Sequence, residues 1–180
     1  HLLDFQQASQ QVEQAWADNI IPALEAFIRI PALSPAFDAE WAEHGHIDEA
    51  IALAEEWCRE TAPAGSDIAV IRLPGRTPVL WVDIPGTGPG ETLLYGHLDK
   101  QPEASGWDAD KGPWQPVRVD DRLYGRGSAD DGYALFASLQ AIKTVHDQGV
   151  AHPRCMLLIE CAEESGSPDL PAYLDHLAPR

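Results

Sequence analysis

Three short motifs carry the residues whose types and spacing could do chemistry. Gly96-His97-Leu98-Asp99 follows the apolar run Thr92-Leu93-Leu94-Tyr95. Gly125-Arg126-Gly127-Ser128-Ala129-Asp130-Asp131-Gly132 follows Arg122-Leu123-Tyr124, and Glu163-Glu164-Ser165-Gly166-Ser167 closely follows Met156-Leu157-Leu158-Ile159-Glu160. Each motif puts a histidine or carboxylates just past a short strand-like run. Strand ends that converge from one sheet are where an α/β protein builds its site. An imidazole grouped with carboxylates suits a hard-to-borderline divalent cation.

Taken singly, each motif also has a bland reading. His97 and Asp99 are two apart, so a strand would point them the same way. Asp99 could fix the tautomer of a ligating His97 or be a ligand itself, but a surface His and Asp would look the same. Asp130 and Asp131 follow a Gly-x-Gly turn that can aim a carboxylate, and one carboxylate can bridge two cations. They could equally be the acidic first turn of a helix. That Gly-x-Gly is no dinucleotide fingerprint, since the third glycine and the ribose-binding acid are missing. Glu163 and Glu164 could split roles, one ligating a metal and the other, less solvated, taking a proton from water. They could also be an exposed acidic turn. His44, His46, His146, His152 and His176 read as solvated.

The elements that would position these motifs are legible from periodicity. Residues 5–29 are helical, with Val12, Ala15, Trp16, Ile20, Leu24 and Phe27 at three- and four-residue steps. Pro22 is expected to kink this helix or start a second one. Ile30-Pro31-Ala32-Leu33-Ser34-Pro35 reads as a loop. A second helix spans residues 46–62, with Ile47, Ala50, Ile51, Ala54 and Trp57 on one face. Strand-like runs follow at 67–73, 79–84 and 92–96, separated by Pro-Gly turns. A loop over 101–116 comes directly after the first motif, where a functional loop is expected. Residues 117–124 read as a hairpin around Asp120-Asp121, Tyr133 to His146 as an apolar helix, Arg154 to Cys161 as a buried strand, and Leu170 to Leu177 as a last helix. The pattern is an α/β layer architecture, a central sheet flanked by helices.

Composition narrows the function classes. Twelve basic against 29 acidic residues give a net charge of −17. Nucleic acid and anionic membrane are therefore not the expected partners, because both need a basic face. No run approaches the ~18 apolar residues of a membrane span. Cys58, Cys155 and Cys161 lack metal-finger spacing. An extended run from 155 to 161 would separate its cysteines by about 20 Å, too far for a disulfide. They read as buried thiols in a reducing compartment, which points to a cytoplasmic protein.

Together the three motifs resemble the co-catalytic dizinc metallopeptidases, a family of aminoacylases, deacetylases, glutamate carboxypeptidases and carnosinase-type dipeptidases. The resemblance runs from about Ala8 to the end. Gly96 to Pro102, Gly106-Trp107 and Leu123 to Gly127 look most like the dipeptidase branch, and Ile30 to Ser34 resembles the family's early loop. It implies a zinc-exopeptidase-like (phosphorylase/hydrolase-like) catalytic domain with a central mixed sheet. It also implies two zinc ions, with manganese or cobalt as alternatives. By position, His97, Asp130 and Glu164 match metal ligands, with Asp130 as the bridge. Asp99 matches the carboxylate beside the first ligand, and Glu163 matches the general base. The Asp130–Asp131 peptide is cis in the family. Where the family often has a lysine after the Asp pair, this chain has Gly132.

The implied reaction is hydrolysis of an amide bond in a small peptide or N-acyl amino acid, by a dipeptidase, carboxypeptidase or deacylase. The family's site also takes a later acidic ligand and a final histidine, and carries an inserted dimerisation domain. Residues 1–180 are therefore expected to be the N-terminal part of a catalytic domain. They would hold half the site, be inactive alone, and form a homodimer only at full length. An inactive folding or binding unit is the alternative.

Overall fold

The computed structural model describes residues 1–179. Helix α1 (Phe5–Ala15) runs through a wide π-type turn at Trp16–Ile20 into α2 (Ile21–Ile28). Pro22 lies in the first turn of α2 and has no N–H to return to residue 18. The wide turn takes up that loss, with the Ile21 N–H donating to the Trp16 carbonyl. The short α3 (Trp41–His44) and α4 (His46–Thr61) follow, then β1 (Asp67–Ile71), β2 (Val79–Ile84) and β3 (Glu91–His97). After a long loop come the hairpin β4 (Val117–Val119) and β5 (Arg122–Tyr124), then α5 (Tyr133–Asp147), β6 (Arg154–Glu160) and α6 (Leu170–Leu177).

The main sheet has the order β1-β2-β6-β3, and β4-β5 forms a separate hairpin. β2 pairs antiparallel with β6, whereas β3 pairs parallel with it in a register that sets His97 beside Glu160. The sheet is thus mixed, as expected. Alternation along β2 sorts its side chains. Leu80, Val82 and Ile84 face the main core, with Leu24, Phe27, Ile51, Phe136 and Leu139 from the helices. Val79 and Trp81 face the other side and pack with Leu158 and with Tyr173 and Leu177 of α6. Helices therefore cover both faces, and the ends of β3 and β6 emerge at one sheet edge.

All three cysteines are buried and unpaired among the described residues. No helix among those residues is long and apolar enough to cross a membrane. One expectation is corrected: His152 is buried, at 9% exposure. Its Nδ1 lies 2.8 Å from the Pro153 carbonyl and its Nε2 3.2 Å from Nδ1 of the exposed His146. A loop position says nothing about neighbours brought in from elsewhere. Here Gly86 and Gly88 pack directly on the 152–153 backbone.

Candidate metal centre

Parallel pairing of β3 and β6 carries the first and third motifs to the same end of the sheet. His97 is the last residue of β3, and Glu163 and Glu164 form a single helical turn just beyond β6. Asp130 arrives from the loop that opens α5. That loop must pass close to α2. A Cβ on Gly132 would sit 2.4 Å from the Phe27 ring, and one on Gly127, where φ is 89°, 2.6 Å from Cε of Lys100. Only glycine tolerates both approaches. The Asp130–Asp131 peptide is cis.

Asp99 organises the centre. It is 1% exposed, and its carboxylate accepts the backbone N–H groups of Glu163 at 3.1 Å and Glu164 at 2.9 Å. Burial alone would raise its pKa. His97, the Ser34 hydroxyl and the Glu164 N–H outweigh that and hold it below the ordinary carboxylate value. Ser34 is buried and hydrogen-bonds Ser165 at 2.6 Å, so the early loop is tied to the third motif.

His97 is 4% exposed, and its ring is held at both nitrogens. Nδ1 lies 2.9 Å from the Asp99 carbonyl oxygen and 3.4 Å from its carboxylate. Nε2 faces Asp130 Oδ1 at 3.2 Å and Glu163 Oε2 at 3.6 Å. The backbone N–H of His97 donates to Asp131 Oδ2 at 3.3 Å. Burial works to lower the His97 pKa, but hydrogen bonding and charge from Asp99, with Asp131 adding to it, win and raise it to about 9.

His97, Asp130 and Glu164 each offer a ligand atom, and the three atoms lie within 4.8 Å of one another. One imidazole and two carboxylates make a donor set that zinc, manganese or cobalt accepts. The residues present thus fit a divalent cation. Burial raises the Glu164 pKa and Asp130 adds to this, while a hydrogen bond from Gln101 pulls the other way. The Glu163 side chain is 41% exposed and that of Asp130 68%.

Three residues at the centre are given no role of their own in the sequence reading. Lys100 is fully buried, and its ammonium donates to the carbonyls of Phe27 at 2.7 Å, Ile28 at 3.4 Å and Ile30 at 2.8 Å. It caps the C-terminal end of α2 and lies 4.1 Å from the Phe27 ring centre. Burial draws its pKa down to about 7. Asp131 buttresses the His97 backbone, and Gln101 reaches Glu164. Nothing local distinguishes Lys100 or Gln101 from surface residues. Their one signal is that they directly follow Asp99.

Residues 93–179, which hold all three motifs, match the family model for Peptidase family M20/M25/M40. Among curated proteins, the succinyl-diaminopimelate desuccinylase of Nitratiruptor sp. is 36% identical over 78 residues, 43% of this chain and 20% of that protein. Human Beta-Ala-His dipeptidase is 35% identical over 95 residues, 50% of this chain and 18% of that protein. The fold is that of human carnosine dipeptidase 1, with a TM-score of 0.75 and 23% identity over 95% of this chain and 37% of the other. The M20 family metallo-carboxypeptidase Sso-CP2 of Sulfolobus solfataricus superposes with a TM-score of 0.74 at 28% identity, over 88% of this chain and 34% of the other. This chain thus spans about a fifth of these curated relatives and about a third of these solved ones. With its motifs inside the matched segment and its fold shared over nearly all its length, the chain is similar to the M20/M25/M40 peptidases.

Proposed function

We propose that these residues are the N-terminal part of the catalytic domain of a dizinc amidohydrolase that cleaves small peptides or N-acyl amino acids. The observation that carries this reading is the convergence of His97, Asp130 and Glu164 within 4.8 Å. These three would hold the metal, with Asp130 as the carboxylate shared between the ions. Further ligands would come from polypeptide outside residues 1–180. That is in keeping with relatives of which this chain covers only 18–20% in the two curated cases above. Manganese or cobalt would suit the same donors. When bound, such ions supply Lewis acidity toward a carbonyl and make water a better nucleophile at neutral pH.

The chain's own residues handle the proton. Glu163 has its backbone fixed by Asp99, and its half-exposed carboxylate lies 3.6 Å from His97 Nε2. It takes the proton of the attacking water and returns it to the leaving amine. Asp99 keeps the Nδ1 side of His97 occupied, so that Nε2 faces the ligand carboxylates. The substrate class is supported by relatives named as dipeptidases and, for N-acyl amino acids, by the desuccinylase.

The test uses the intact protein loaded with zinc and assayed for amine release from a dipeptide series and from N-acyl amino acids. Turnover is expected with one of these classes. Glu163→Gln should keep the metal and lose about 10²–10⁴-fold in kcat. An intact, zinc-loaded protein that cleaves neither class would end this reading.

A further inference from the structure

We propose that Gln101 is a positioning residue for Glu164, holding one carboxylate oxygen so that the other is presented to the cation. The inference rests on the metal reading above. Gln101 Nε2 donates to Glu164 Oε2 at 2.7 Å. Asp99 fixes only the backbone of Glu164, leaving the rotatable bonds of a glutamate side chain to be ordered. A ligand oxygen of Asp130 lies within 4.8 Å of one of Glu164, and two carboxylates that close repel each other. Among the described residues, the Gln101 amide is the side-chain donor that opposes this.

An amide is the appropriate group for that place. A lysine or arginine would neutralise the charge that must attract the metal, and an acid would add to the repulsion. The amide donates a hydrogen bond and leaves the carboxylate its charge.

Gln101 is itself braced by all the parts of the centre. The preceding Lys100 donates its N–H to the Ala32 carbonyl at 2.9 Å, and its own carbonyl accepts the Ser34 N–H at 3.0 Å. The Arg126 guanidinium, from the second motif, donates to the Pro102 carbonyl at 2.9 Å and the Gln101 carbonyl at 3.4 Å. A residue in an otherwise irregular loop is thus locked on both sides and aimed at the third motif.

The experiment titrates the intact protein with cobalt(II), reading affinity by calorimetry and ligand geometry by visible absorption. Gln101→Ala and Gln101→Met are compared with wild type, His97→Ala and Glu164→Ala. Methionine keeps the length and packing of the stem and removes only the donor. Both Gln101 variants are expected to bind cobalt at least about tenfold more weakly and with a changed absorption spectrum, at an unchanged melting temperature. A purely structural role in the loop would shift the melting temperature and leave the spectrum alone. If Gln101→Met keeps wild-type affinity and spectrum while His97→Ala abolishes binding, the positioning role is overturned and the metal reading stands. If wild type binds no cobalt, or His97→Ala and Glu164→Ala bind it as wild type does, the metal reading itself falls and takes this inference with it.

Discussion

The two halves of the candidate metal centre are built on opposite terms. On one side, His97, Asp99 and Lys100 are buried, and each bonds to at least one group distant in sequence. On the other, Asp130 and Glu163 present carboxylates that are 68% and 41% exposed. The buried half holds geometry, because an unpartnered polar group there would cost free energy. The exposed half gathers carboxylates, which water solvates and screens from one another. The difference teaches that position and affinity come from different residues. Asp99 ties the two halves, since it is buried in the first and holds the backbone of the second.

Substitutions should separate the halves, the largest effect coming from the buried one. Lys100→Ala removes the partner of three carbonyls and leaves a cavity beside Gly127. It is expected to cost about 4 kcal/mol in urea unfolding. A loss below about 1 kcal/mol would mean that water replaces the ammonium and that the buried half is softer than argued. Asp99→Asn keeps the shape but turns an amide NH₂ toward the N–H of Glu163 or Glu164. About 2 kcal/mol of stability and about tenfold in cobalt affinity should go together. Unchanged cobalt affinity would uncouple the halves.

A pH series sharpens the comparison further. His97 has its folded pKa raised to about 9, so its contribution is complete below its ordinary value of 6.5 and is lost as pH rises through 9. Lys100, lowered to about 7 from 10.5, acts oppositely: its contribution grows as pH rises from 7 toward 10.5. The two trends offset in wild type. Metal-free His97→Gln should therefore gain stability relative to wild type between pH 6.5 and 9. A flat difference between the two would show that the proton is not held on the ring as described. The smallest effect belongs to the exposed half, where Glu163→Gln should change unfolding stability by less than about 0.5 kcal/mol.

Much of this architecture was legible in the sequence. Helices α4 and α5 announce themselves through three- and four-residue apolar steps, and β2 and β6 as apolar runs between Pro-Gly punctuation, because those signals are local. His97, Asp130, Glu163 and Glu164 stood out for the same reason: each lies just past an element whose type could be read. Lys100, Gln101 and His152 did not, because a lysine, a glutamine and a loop histidine look alike on a surface and in a core until their surroundings are known.

By itself, then, the sequence determined which elements form and which motifs end them, since periodicity, turn residues and spacing act within a few residues. Tertiary structure alone decided that β3 runs parallel to β6 with His97 beside Glu160. It alone set the Asp99 carboxylate under two N–H groups more than sixty residues away, and it alone buried Lys100 against the end of α2. Sheet order and register are the physical reason. They come from packing two apolar faces at once, and no local stretch of sequence carries that information.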